Sequence, residues 1–170
     1  MNKKIITIIL VALAVTAGAL SIIFRAPALE NVAGLDVSRS VPQDKLSRVT
    51  ARLGGEEFSL MIARTEDEQT LGLSGFPALA QNEGMIFPYG SDDSYGFWMK
   101  DMLFPIDIIW IDASMRVVWV EGGVSPDTYP SIFFPSAPAR GVIELSAGTA
   151  ERLGLSVGSL VETDASLWQN

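Results

Sequence analysis

Charged side chains interrupt two stretches of this chain that otherwise have the composition of a hydrophobic core. Lys100 and Asp107 stand seven residues apart within residues 84–112, GMIFPYGSDDSYGFWMKDMLFPIDIIWID, and Glu144 closes the segment RGVIEL. A charge in apolar surroundings must be paired, hydrogen-bonded or put to use. An ammonium with two carboxylates offers acid–base and electrostatic chemistry. Two carboxylates facing each other across about 5–9.5 Å would suit hydrolysis of a glycosidic bond. Trp98, beside Lys100, offers a face on which a sugar ring or another flat apolar group stacks. Pro105 breaks the strand register between Lys100 and Asp107, so a loop can return the lysine toward the aspartate. Arg140 shares one face of RGVIEL with Glu144 and is its natural cation. The candidate binding residues are therefore Trp98, Lys100, Asp107, Glu144 and Arg140. In the competing structural reading, these charges are ion pairs or amide-bonded carboxylates that fix loops at a sheet edge, and Trp98 is core.

The chain has no cysteine and no histidine. That excludes Cys/His zinc sites, cysteine nucleophiles, Ser-His-Asp triads and histidine bases. Asp92 and Asp93, flanked by Ser91 and Ser94, present oxygen ligands but lack EF-hand spacing, so they read as a solvated turn. No metal site and no cofactor is expected.

The elements that must position these residues are short. Residues 48–53 alternate as RVTARL, Gly54-Gly55 signals a turn, and residues 57–63 resume as an apolar strand, which predicts an antiparallel hairpin. Thr65 and Glu68 have capping-box spacing at the start of a short helix that Gly72 interrupts. A short strand is predicted over residues 85–87, followed by a polar loop at 90–94 and an apolar segment at 97–99. Residues 106–112 and 115–121 form a second hairpin. In its first strand Ile106, Ile108 and Trp110 alternate with Ile109 and Ile111, so both faces are apolar and the strand is central.

Four prolines make residues 122–139 a long irregular connection that carries the apolar triplet Ile132-Phe133-Phe134. That triplet serves as a lid, a docking patch or a staple onto the sheet. A strand at 140–145, a helical turn at 149–153 and a last strand at 159–162 follow. Strands outnumber helices without βα alternation. The expected class is α+β: one small β-rich domain, mostly antiparallel sheet or partly closed barrel, with short helices.

Upstream of this domain, residues 5–24 are uncharged and apolar after two lysines, long enough to span ~30 Å as a helix. This is a membrane-targeting segment, read either as an uncleaved anchor or as a signal peptide cleaved near Ala26-Pro27-Ala28. The expected organisation is a signal anchor or signal peptide at 1–28, a linker at 29–46, the domain at 47–164 and a tail at 165–170. Lys3 and Lys4 favour a cytoplasmic N-terminus and an outward-facing domain. The expected location is the cell envelope: anchored in the inner membrane, or periplasmic or secreted if cleaved. Beyond Arg25 the chain carries nine basic and twenty acidic residues, a net charge of −11. Such a body is repelled by nucleic acid, which is not an expected partner. Without disulfides it depends on its apolar core.

LGLSG (71–75), EGMIF (83–87), FWMKDM (97–102), PIDII (105–109) and VIEL (142–145) with Ala147-Gly148 resemble, in this order, the signatures of the DUF192 (UPF0127) family. The resemblance spans about residues 49–162. It implies a small β-rich α+β domain, commonly exported in bacteria, and brings no activity with it. GLSVGSLV at 154–161 is similar to the family's closing turn and more loosely to that of double-psi barrels, with Ser159 where Asp is usual. The function expected is a non-catalytic envelope module that binds a small polar ligand, a glycan or an envelope protein. The alternatives are a carboxylate/lysine enzyme acting on a carbohydrate or related envelope compound, and a purely structural or interaction domain.

Overall fold

The structure, a computed structural model, describes residues 45–168. The apolar N-terminal run and nearly all of the linker lie outside the described residues. Among the described residues nine strands and two short α-helices follow in chain order: β1 (Arg48–Leu53), β2 (Glu56–Ile62), α1 (Glu66–Leu71), β3 (Glu83–Asp93), β4 (Phe97–Trp98), β5 (Ile106–Ile111), β6 (Val117–Val124), β7 (Ile132–Phe133), β8 (Ala139–Ser146), α2 (Thr149–Arg152) and β9 (Val161–Thr163). Seven strands form one sheet in the order β6-β5-β8-β3-β2-β1-β9, and β4 pairs with β7. Within the large sheet only β2 and β3 run parallel. The sheet is therefore mixed, because α1 and the loop after it carry the chain back before β3 starts, as a parallel pair requires.

The two edges of the sheet meet at one end. Arg116 bridges Leu160, the Val117 amide donates to the Ser159 carbonyl at 2.9 Å, and the Val161 amide donates to the Met115 carbonyl at 2.8 Å. The sheet is thus curled into a half-barrel. Its inner core draws Val117 and Val161 from the two edges and Leu60, Ile86, Ile109 and Ile143 from the strands between them. On the outer face Met85, Phe87, Ile108, Trp110 and Val142 are covered by Leu73, Phe76, Phe97, Met99 and Met102. Every residue of β5 is buried, as its two apolar alternations predict.

Both predicted hairpins form, and so does the capping box. The Glu68 amide donates to Thr65 Oγ1 at 3.2 Å, while Glu68 Oε2 accepts from the amides of Thr65 at 2.9 Å and Arg64 at 2.8 Å. The Thr65 amide is the foremost of several contacts that hold the Glu68 carboxyl below its ordinary range.

Two segments differ from expectation. β3 runs through residues 90–93, predicted as loop: its pairing with β8 breaks after Pro88, which has no N–H for the ladder, and resumes at Asp93 with Ala139. Within residues 122–139, β6 reaches Val124 and β7 pairs with β4, Phe97 opposite Phe133 and Trp98 opposite Ile132. Of the three roles considered for residues 132–134, the staple describes Phe133, while Ile132 and Phe134 remain about half exposed. Phe133 packs on the outer core, and a Cβ on Gly96 would meet Phe134 at 2.6 Å and Ile132 at 2.8 Å.

Candidate functional site

Opposing residues of an antiparallel pair point to the same face, so pairing separates the two buried carboxylates. Asp107 lies opposite Leu145, an inner-core residue, whereas Glu144 lies opposite Ile108, an outer-core residue. Asp107 Oδ1 accepts from the amides of Gly123 at 2.8 Å and Gly148 at 3.1 Å, and Oδ2 accepts from Ala150 at 2.8 Å. It satisfies amides that the first turn of α2 leaves without partners and ties that turn to the end of β6. A hollow of about 410 Å³ opens beside it, but both oxygens already accept amides. The expected Lys100–Asp107 pair does not form. Lys100 is exposed on the loop that covers the outer face, and its carbonyl accepts from Ser74 Oγ at 2.8 Å.

Glu144 is only 4% exposed, and among the described residues its Oε2 has no hydrogen-bond partner. Burial pushes its carboxyl up to about 8, so at neutral pH the neutral acid dominates. Above it lies a cavity of about 70 Å³. Phe87 and Tyr89 of β3 form one wall; Gln69 and Thr70 of α1 with the following loop form another; Phe97 and Trp98 of β4 form a third. A Cβ on Gly72 would stand 3.9 Å from Glu144 Oε2 and 3.5 Å from the Phe87 ring, at a φ of +51° that a side chain rarely adopts. Glycine therefore keeps this space open.

The walls are fixed by contacts outside the cavity. Gln69 Nε2 donates to the carbonyls of Ala63 at 3.3 Å and Pro88 at 3.2 Å, holding α1 to the sheet. The Gly75 amide donates to the Asp101 carbonyl at 2.9 Å. Trp110 Nε1 donates to the Tyr95 carbonyl at 2.8 Å, and Phe97 meets the rings of Phe87 and Trp110 edge-on. Tyr89 stacks on Tyr95 at 3.5 Å between centroids. Burial first, then the Glu144 charge, then Tyr95, raise the Tyr89 hydroxyl above its ordinary range. At the mouth, Trp98 is 43% exposed and meets Tyr129 edge-on at 6.5 Å.

Of the five candidate residues, the structure brings Trp98 and Glu144 to one cavity and leaves Lys100, Asp107 and Arg140 outside it. Arg140 does not partner Glu144: its Nε reaches Asp92 Oδ1 at 2.6 Å. The expected core role for Trp98 also gives way to a half-exposed position. Sequence reasoning missed Tyr89, Gln69 and Gly72. The alternation of Met85, Phe87 and Tyr89 was a usable signal, since it sets all three on one face; their pairing with a strand more than fifty residues later was not.

The fold is a half-barrel of short strands in which one of two buried carboxyls lines a cavity with aromatic walls. The family profile of DUF192, described as "Uncharacterized ACR", matches residues 49–163, and the chain belongs to that family. Two solved structures share the fold. One, from Sinorhizobium meliloti 1021 and titled a "putative transcription regulator", is 26% identical, with a TM-score of 0.66, covering 69% of this chain and 95% of that one. Another, a protein of unknown function from Novosphingobium aromaticivorans DSM 12444, is 31% identical, with a TM-score of 0.61, covering 69% and 84%. No curated protein matches the chain. The family and these neighbours bring no specific function.

Proposed function

We propose that the protein is a non-catalytic binding module of the cell envelope, held outside the cytoplasmic membrane by residues 5–24 or released after their removal, that takes a polar group of a small ligand into the Glu144 cavity. One observation carries this reading: Glu144, whose buried Oε2 has no partner among the described residues, lines an open cavity. Burying such a group without a hydrogen bond costs roughly 1–3 kcal/mol, and a ligand that supplied the bond would recover it. The cavity holds one small group, while Trp98 and Tyr129 offer an apolar surface for the rest of the ligand, a glycan among the candidates.

The geometry gives no support to hydrolysis by paired carboxylates, since Asp107 and Glu144 face opposite sides of the sheet. The regulator title of one neighbour suggests a nucleic-acid partner, but residues 45–168 carry eight basic against seventeen acidic residues, which opposes DNA binding. Thermal-shift and calorimetric titration of the full chain in mild detergent with envelope glycan fragments and small polar compounds tests the proposal. Binding lost in Trp98→Ala and Glu144→Ala supports it; no binding by any compound, or binding indifferent to both substitutions, rejects it.

A further inference from the structure

Resting on that reading, we infer that the group the cavity receives is an alkylammonium: a primary amine on an aliphatic stem, its nitrogen against Glu144 Oε2 and its stem leaving past Phe97 and Trp98. Three observations point to a cation in place of a hydroxyl. First, among the described residues the carboxyl has no cation of its own, because Arg140, on the same face of β8, is engaged by Asp92. Second, four aromatic residues, Phe87, Tyr89, Phe97 and Trp98, line the space, and aromatic rings attract cations. Third, about 70 Å³ admits an ammonium and a few methylenes but no sugar ring, and the acidic domain draws cations toward it.

Binding then exchanges charges without making or breaking any covalent bond other than that to the acid proton. The ammonium enters, the neutral Glu144 carboxyl releases its proton to solvent, and an ammonium–carboxylate pair remains. Affinity must therefore rise with pH while Glu144 is still protonated in the empty protein, about tenfold per unit below about 8. Few other groups facing the carboxyl can produce that dependence. β3 contributes Tyr89, which titrates above its ordinary range. α1 contributes Gln69 and Thr70, the loop after it Gly72 and Ser74, and β4 Phe97 and Trp98, none of which titrates.

The test is NMR titration of the tryptophan indole N–H signals of the full chain in detergent with n-butylamine, 1-butanol and glucose at pH 6, 7 and 8, repeated on Glu144→Gln. The expected result is n-butylamine binding at least tenfold tighter than 1-butanol at pH 8, strengthening from pH 6 to 7, and weakened at least tenfold in the variant. If Glu144→Gln does not fold, the wild-type pH dependence and the amine-to-alcohol ratio decide the question alone. Equal or tighter binding of 1-butanol or glucose, without pH dependence, overturns the ammonium assignment and leaves the polar-ligand reading standing. Binding of none of the three overturns this inference, and the broader glycan titration then decides the wider reading separately.

Discussion

Asp107 and Glu144 sit on adjacent paired strands, both almost fully buried, yet their surroundings assign them opposite work. Asp107 spends its oxygens on three backbone amides and joins β5, β6 and α2. Glu144 lines a cavity and keeps one oxygen without a partner among the described residues. A buried carboxylate that is fully hydrogen-bonded is architecture, and one left unpaired stores binding free energy. Burial and residue type alone therefore do not mark a site; the partner inventory does.

The largest effect should come from the satisfied carboxylate. Asp107→Ala leaves the amides of Gly123, Gly148 and Ala150 without acceptors, and a loss of about 3–5 kcal/mol in urea denaturation is expected. A loss below about 1 kcal/mol would mean that Asp107 does not join these elements. Glu144 should show its difference as pH dependence. Its carboxyl lies at about 8 in the folded protein against an ordinary 4.5 in the unfolded chain, so the folded protein holds a proton that the unfolded chain releases between those values. Its contribution is full below about 4.5 and declines as pH rises through that window, with a slope approaching about 1.4 kcal/mol per pH unit. Denaturation of wild type and Glu144→Gln at pH 5 to 8 measures it; parallel curves would mean that Glu144 is ionised and paired.

Smaller changes sharpen the contrast between the two sides of the sheet. Thr65→Ala removes the cap of α1, a wall of the Glu144 cavity, and should cost about 1 kcal/mol. Ligand binding should weaken while amide exchange at Gly148 and Ala150 stays unchanged. The least effect belongs to Arg140→Ala. Its ion pair with Asp92 is partly exposed, so under about 1 kcal/mol is expected, with the pH slope intact. A steeper slope in the variant would show that Arg140 does reach Glu144, because losing a nearby cation raises a carboxyl further.

Much of the scaffold was legible because it is encoded locally. The hairpins, the Thr65–Glu68 cap and the two-sided burial of β5 depend on alternation and spacing over a few residues. Pro88 shows the boundary of that legibility: it signals a break, but the rejoining of β3 with β8 at Asp93 depends on Ala139, far along the chain. The site was half legible. Asp107 and Glu144 were conspicuous as charges in apolar strands, and Trp98 as an aromatic beside them, but their partners could not be inferred.

Composition and pattern by themselves determined a disulfide-free, acidic, β-rich domain, its family signatures, and which charged residues the core would have to accommodate. Only the tertiary structure decided which carboxylate was satisfied and which was left unpaired. Side chains alternate across a strand, so the register between β5 and β8 sends Asp107 inward and Glu144 outward. That register is fixed by the packing of two cores at once, a property of the whole sheet that no local stretch of sequence contains.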